Sequence, residues 1–404
     1  MKNTRILTKL AAFVLVLCLG VSLFASCGSD DVMMSMEIDG KTYTLTEKEF
    51  ATLLKIKKIE LCVNLGLSAS YDNDSFWLAE MEEGGTREDY YMDMVLDQAK
   101  VLLIEKYLFD KYQLTLSAER MAEYETVRRE EVDYLGGKGS YKQYYGYTVS
   151  EYFDTYVEMV ERSNAIYEFL CDENGEQKVT EEDLAKYYEE NYAGYQYIVL
   201  DMNNKVVRDE DGNRVVNKKK TTDENGETVE VDGDSYKTEA LTDEEKSEKQ
   251  TLAAKILAEL EAGTKTFEEL VAEYSDEYYS VEYPEGSFVP KGSAFANETV
   301  ISKIEDLEIG EYTEEAISVN SNAYQYIVKR VELKEAVYHD DHYLSLFDGY
   351  EEVVKTDKYE NYVKTYFDKV VVVQAVAGRY SLVDLYHSEH IDYLIYINMV
   401  SSGS

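Results

Sequence analysis

The apolar positions along this chain change their period more than once. From Met36 to Thr44 they alternate around Asp39-Gly40, which predicts a small hairpin. After it they recur at helical spacing. Thr46 and Glu49 are spaced as a capping box in front of Phe50, Leu53, Leu54 and Ile56. A second helix is predicted from Arg87 to Tyr112, with Met94, Val95, Leu102, Leu103, Tyr107 and Leu108 on its apolar face. A third starts at Ser117 and is broken by Gly136-Gly137-Lys138-Gly139. Thr148 with Glu151 caps a fourth, running to Cys171, and Thr180 with Asp183 opens a short one ending near Asn191. Then the texture changes. The five residues YQYIV occur twice, as Tyr195–Val199 and Tyr324–Val328, and both copies read as strands. Between them lie a polar insert at 202–240 with turn signals at Asp211-Gly212 and Asn225-Gly226, a helix capped by Thr242 and Glu245, and a short helix Phe267–Tyr274. A turn-rich stretch holding both prolines follows, and then a helical Val300–Leu307. The last seventy residues return to helical spacing, interrupted by Val370–Val373 and Gly378. Helices, then a βα block, then helices again predict a helical domain interrupted by an α+β domain.

At 404 residues the chain is long enough for two or three ordinary domains. Its formal net charge is −40, with 81 acidic against 41 basic side chains. A phosphate backbone would be repelled, so nucleic acid is excluded as a partner, and an anionic membrane surface is disfavoured. Tyrosine is abundant at 38 and proline almost absent at 2, which rules out long Pro-rich linkers. The first residues change the picture most. Lys2, Arg5 and Lys9, the apolar run Leu10–Phe24, and Phe24-Ala25-Ser26-Cys27-Gly28 read as a secretory signal, the run being too short to span a bilayer. Small residues before Cys27 resemble a bacterial lipobox, with Cys27 as the lipidated residue. Cys62 and Cys171 both fall in apolar helical patterns and are read as buried free thiols.

One third of the chain carries a family signature. Tyr197-Ile198-Val199-Leu200 stands as a first strand, and Ala253-Ala254-Lys255-Ile256 runs into Gly263 as a helix. Phe267-Glu268-Glu269-Leu270-Val271-Ala272-Glu273-Tyr274-Ser275-Asp276 forms a middle signature, Gly310-Glu311 a turn, and Tyr326-Ile327-Val328-Lys329 a last strand. The block resembles the parvulin family of peptidyl-prolyl cis–trans isomerases. Its flanks, Val95–Glu119, Tyr145–Phe153 and Val179–Tyr188, resemble the helical chaperone domain of PrsA- and SurA-type extracytoplasmic foldases. The resemblance implies an α+β multidomain fold, a mostly helical chaperone domain interrupted by a parvulin-like domain with an antiparallel sheet. The implied division is a signal at 1–26, a tether at 27–34, the chaperone domain at 35–192, the parvulin-like domain at 193–333 and a C-terminal helical segment at 334–404 packing on the chaperone domain. It further implies unfolded or nascent secreted polypeptides as partners, attachment to the outer face of a bacterial membrane only through lipid on Cys27, and a proline pocket near Phe288, Phe295 and Val300.

The family places two histidines across its central strands, orienting an Asp or Cys. Here those two positions are Tyr197 and Tyr326, and the third falls at Asp276 or Glu277. Rotation about an X–Pro bond faces a barrier of roughly 20 kcal/mol. An imidazole pair passes a donor–acceptor chain through two nitrogens each, whereas a phenol presents one hydroxyl. Three readings stay open: a folding factor whose parvulin-like domain binds without catalysis, an active isomerase, and a lipoprotein that captures a partner or a metal. The last rests on all four histidines occurring as pairs at helical i,i+3 spacing, His339 with His342 and His387 with His390. No phosphate-binding loop or nucleophile elbow is present, and no cofactor is expected.

Overall fold

The computed structural model describes residues 31–402 apart from 83, 223–226 and 293–297. The signal, the first half of the tether including Cys27, the Asn225-Gly226 turn and Phe295 lie outside the described residues, and the end of the expected tether, from Val32, is already strand. The fold is α+β, with antiparallel sheets, and the chain forms two compact units, residues 1–179 with 355–404 and residues 180–354. Along the chain come β1 (Val32–Ile38), β2 (Lys41–Thr46), α1 (Glu47–Asn64), α2 (Asp74–Trp77), α3 (Arg87–Lys111), α4 (Ala118–Tyr134) and α5 (Lys138–Tyr145). A π-helical turn, Glu151–Tyr156, leads into α6 (Val157–Cys171), and α7 (Glu181–Asn191) follows. The next stretch holds β3 (Tyr192–Asp201), β4 (Asn204–Val206), β5 (Val216–Thr222), β6 (Thr228–Tyr236) and β7 (Thr238–Ala240). Then come α8 (Asp243–Glu261), α9 (Phe267–Tyr274), α10 (Tyr278–Glu282), β8 (Ser287–Pro290), α11 (Glu298–Ile304), β9 (Ile317–Val319) and β10 (Tyr324–Val331). The chain closes with α12 (Tyr350–Lys364), β11 (Val370–Val372), α13 (Gln374–Ala377) and α14 (Glu389–Ser402). No helix among the described residues is long and apolar enough to cross a membrane.

In the helical unit, β1 and β2 form the hairpin expected around Asp39-Gly40, which both take positive φ. The run Val370–Val373, read as an interruption, is a strand: β11 pairs antiparallel with β1, Met34 opposite Val372 and Met36 opposite Val370. Met33, Met34 and Met36 therefore sit fully buried among Phe50, Leu54 and Trp77. The core extends through Leu103 and Leu108 of α3, Ile166 and Leu170 of α6, and Val363 of α12 to Leu382 and Ile391. Helix starts are fixed by reciprocal threonine–carboxylate caps. Glu49 N donates to Thr46 Oγ1 at 3.2 Å while Glu49 Oε2 accepts from Thr46 N at 2.8 Å, and Thr86 with Asp89 repeats the arrangement at α3.

In the sheet unit four strands lie in the order β8-β3-β10-β9, all antiparallel. The two YQYIV copies are indeed neighbours. β3 is buried on both faces. One face, with Ile198, Leu200 and Ile327, packs on Ala253, Ile256, Phe267, Leu270 and Val271 of α8 and α9. The other, with Tyr197, Val199, Val328 and Ile317, packs on Val300 and Ile304 of α11. Gly194 is where the sheet admits no side chain: a Cβ there would meet Val331 at 3.0 Å and the Phe288 ring at 3.1 Å. Gly194→Ala is expected to destabilise this unit by about 1–3 kcal/mol, read as an earlier denaturation midpoint. The insert is two ladders, β4 with β7 and β5 with β6. Residues 334–349, read as helical, instead form 3-10 turns at Val337–His339 and Leu344–Leu346. Aromatic packing decides this, since Tyr338, Phe347 and Tyr350 cluster with Tyr188 and Tyr192, and Tyr350 OH donates to Leu184 O at 2.6 Å.

Candidate functional site

The register of β3 and β10 decides which side chains meet. Tyr197 stands opposite Val328 and Tyr326 opposite Val199, so the two tyrosines share one face of the sheet as diagonal neighbours. Beyond Tyr195, β8 no longer covers the outer edge of β3. Residues 275–276 take over that edge: Val199 N donates to Ser275 Oγ at 3.1 Å, Asp276 N to Val199 O at 2.8 Å, and Asp201 N to Asp276 Oδ2 at 2.9 Å. Asp276 also holds Lys249 Nζ at 2.5 Å, a pair almost closed to solvent. Burial raises the Asp276 carboxyl above its usual range, with Lys249 opposing. Its Oδ2 is thus committed to both the sheet edge and Lys249.

Glu277, one residue on, goes the other way. It caps α10, Oε2 accepting from Ser280 N at 2.6 Å, and it hydrogen-bonds the Tyr197 hydroxyl. Burial raises its carboxyl, while the backbone donors Ser280 and Tyr279 oppose. Burial also raises the Tyr197 phenol, and the nearby Glu277 charge adds to the shift; Tyr326 is raised by the same two causes. Ser287 Oγ donates to the Tyr197 oxygen at 3.4 Å. The face therefore holds two protonated phenols around one half-enclosed carboxyl. No described histidine lies on this face. His339 Nε2 meets Glu181 Oε2 at 2.9 Å and His342 Nε2 meets Glu282 O at 3.0 Å. The helix their i,i+3 spacing predicts is not formed, because 339–342 lies at the end of a 3-10 turn.

The implied proline pocket is split. Val300 is fully buried under Tyr197. Phe288 pairs with Gly194, so strand alternation puts it on the opposite face, against Tyr343 at 5.5 Å. Between β8, β3 and α11 opens a cavity of about 300 Å³, lined by Tyr195, Val289, Pro290, Ile301, Leu307 and Arg330 among others. The Arg330 guanidinium lies 4.7 Å from the Tyr195 ring centre. A broader groove of about 990 Å³ runs past Leu257, Leu307, Tyr312 and Ile317, edged by Glu261, Glu314 and Glu315.

No protein-family model matches the chain, and no curated protein matches it. Solved structures do. PrsA from Bacillus subtilis aligns over 80% of this chain and 93% of its own, at 14% identity and a TM-score of 0.23. Foldase protein PrsA from Streptococcus pneumoniae str. Canada MDR_19A aligns over 81% and 93%, at 15% and 0.23. Foldase protein (PrsA) from Lactococcus lactis aligns over 70% and 85%, at 15% and 0.19. The chemistry of this chain is set by its own residues.

Sequence reasoning offered Asp276 and Glu277 as equivalent and could not choose between them. Adjacent residues at a strand edge point to opposite sides, and only the chosen partner, Lys249 or Tyr197, tells them apart. The cavity residues Tyr195, Ile301 and Arg330 were missed. Arg330 two positions after Val328 on the second YQYIV copy was the available signal.

Proposed function

We propose that this chain is an extracytoplasmic folding factor, anchored through lipid on Cys27, that holds unfolded secreted polypeptides and uses its sheet unit to bind peptide without isomerising it. The observation that carries the reading is Tyr197, hydrogen-bonded to Glu277, with Tyr326 on the same face of the sheet. The phenols are pushed up by burial and stay protonated, so they act as fixed hydrogen-bond donors. Each offers a single hydroxyl, with no second polar atom to relay a proton or reorient as an X–Pro amide twists. Tyr197 is packed into the interior by Val300, Ile304 and Val328, which stabilises the sheet and keeps the hydroxyl from substrate. The cavity at Tyr195 and the acid-edged groove suit a loosely held side chain and an extended, cationic or apolar segment. The excess of acidic over basic side chains, 81 against 41, favours the same clients and keeps the carrier soluble.

The test uses the full chain. Suppression of aggregation of a denatured, reduced protein at near-stoichiometric amounts is expected. In a proline-peptide isomerisation assay Tyr197→Phe and Tyr326→Phe are expected to leave the rate within about twofold of the parent. A loss of tenfold or more in either variant, at about 1.4 kcal/mol of barrier, would establish catalysis through the phenols and overturn the reading. Absence of aggregation suppression would remove the folding-factor role itself.

A further inference from the structure

In the helical unit, side chains of three metal-ligating kinds converge. Lys58 and Cys62 lie one turn apart on α1, both facing the core. Asp72 comes from the turn after α1, and His387 from the segment just before α14. Cys62 is wholly buried, and it forms no disulfide. The ligand atoms of Cys62, Asp72 and His387 all lie within 4.8 Å of one another. The hydrogen bonds around them are already sorted by atom. Asp72 Oδ1 accepts from Lys58 Nζ and from Trp77 Nε1, the latter at 2.6 Å. Oδ2 faces His387 Nδ1 at 2.9 Å, and His387 Nε2 faces Asp392 Oδ1 at 3.3 Å.

We propose that Cys62, Asp72 and His387 bind one divalent cation of the zinc class. Sulfur, carboxylate oxygen and imidazole nitrogen together are a borderline-soft donor set, suited to zinc and poorly suited to calcium or magnesium. Zinc bonds of about 2.0–2.3 Å place tetrahedral donors roughly 3.3–3.8 Å apart, so closing the set asks each side chain to move by less than about 1 Å. Nδ1 of His387 is the ligand nitrogen, and Nε2–H then donates to Asp392. This is the outer-shell carboxylate that fixes a metal-bound imidazole. Charge also closes. A dication and the Lys58 ammonium balance one thiolate and the carboxylates of Asp72 and Asp392. Lys58, which bonds Asp72, also lines a cavity of about 60 Å³ with Ile59, Leu385 and Tyr386, room for one or two waters at about 30 Å³ each. Binding displaces the thiol proton to solvent and ties α1, the turn after it and the C-terminal segment at one point.

The experiment uses the full chain, reduced and stripped with chelator, and titrated with Co²⁺ as a spectroscopic probe and with Zn²⁺ in competition. One equivalent of cobalt should bring a thiolate-to-metal absorption band in the near ultraviolet, displaced by one equivalent of zinc. Cys62→Ser should abolish the band, and Asp392→Asn should weaken zinc binding by about 10–100-fold. His387→Ala should weaken it at least as much, while a His339→Ala, His342→Ala double variant binds as the parent does. Should Cys62→Ser fail to fold, the variants at His387 and Asp392, which lie nearer the surface, decide the matter. Absence of a saturable band, a band that survives Cys62→Ser, or unchanged zinc affinity in His387→Ala would each overturn the site. In the last case His387 is a hydrogen-bond link between Asp72 and Asp392.

Discussion

Lys58→Ala, assayed in the presence of chelator, is expected to destabilise the helical unit by about 3–5 kcal/mol, the range for stranding one half of a buried ion pair. Lys58 is a charged side chain in a place where only apolar ones belong. It is 1% exposed, its ammonium is bonded to Asp72 and to Leu382 O, and it lies 4.4 Å from the Trp77 ring centre. Its removal leaves the Asp72 carboxylate, itself 3% exposed, with no adjacent fixed positive charge. The carbonyl of Leu382 loses its donor as well. The protein's one tryptophan is Trp77, so denaturation followed by tryptophan fluorescence reports on this unit alone. The double variant Lys58→Met, Asp72→Leu should recover much of the loss, because the expense lies in the unpaired charge and not in the absence of the pair. A loss below about 1 kcal/mol in Lys58→Ala would mean that water reaches Asp72 and that the pair is not closed.

The second large effect is in pH. Glu105 lies inside α3 at 2% exposure, and burial pushes its carboxyl up to about 7 from an ordinary 4.5. Hydroxyl donors Ser163 and Tyr359 pull the other way, as does the charge of Arg162. Because the folded value is raised, the folded unit holds a proton on Glu105 that the unfolded chain releases near pH 4.5. The stability from this group is whole below about pH 4.5 and is lost as the pH rises through about 7. Glu105→Gln keeps the shape and removes the titration. At pH 8 it is expected to exceed the parent in stability by about 3 kcal/mol, and near pH 4.5 to match it. The measurement is the same fluorescence-detected denaturation across that range. Two parallel stability–pH curves for parent and variant would show that Glu105 does not titrate within it.

Much of the fold was legible because its signals are local. Threonine–carboxylate pairs at 46/49, 180/183 and 242/245 mark helix starts that the structure closes with reciprocal bonds. The repeated YQYIV gave two strands that are hydrogen-bonded neighbours. What escaped was non-local or short. β11 is three valines whose partner, β1, lies more than 330 residues earlier, and nothing in three residues separates a strand from a break in a helix. β8 and β9 are equally brief. The His339–His342 spacing suits a helix, but the aromatic cluster around Tyr338 outweighs it. At the candidate site the two tyrosines were readable, being fixed by strand period. The split between Asp276 and Glu277 and the reversal of Phe288 were not, because each depends on which way a residue faces relative to a strand from elsewhere in the chain.

The pairing of β11 with β1 has a consequence in time. The sheet unit is one uninterrupted stretch, residues 180–354, whereas the helical unit draws on both the chain before 180 and the chain after 354. During synthesis the part that emerges first must wait for Val370–Val372 to cover β1 and for Leu382 to receive Lys58. At about 5–20 residues per second the intervening two hundred residues take about 10–40 s. Through that interval an early, apolar half stands open while a later half has already closed. A chain with the function proposed above thus passes, during its own synthesis, through the open condition it is proposed to relieve in others.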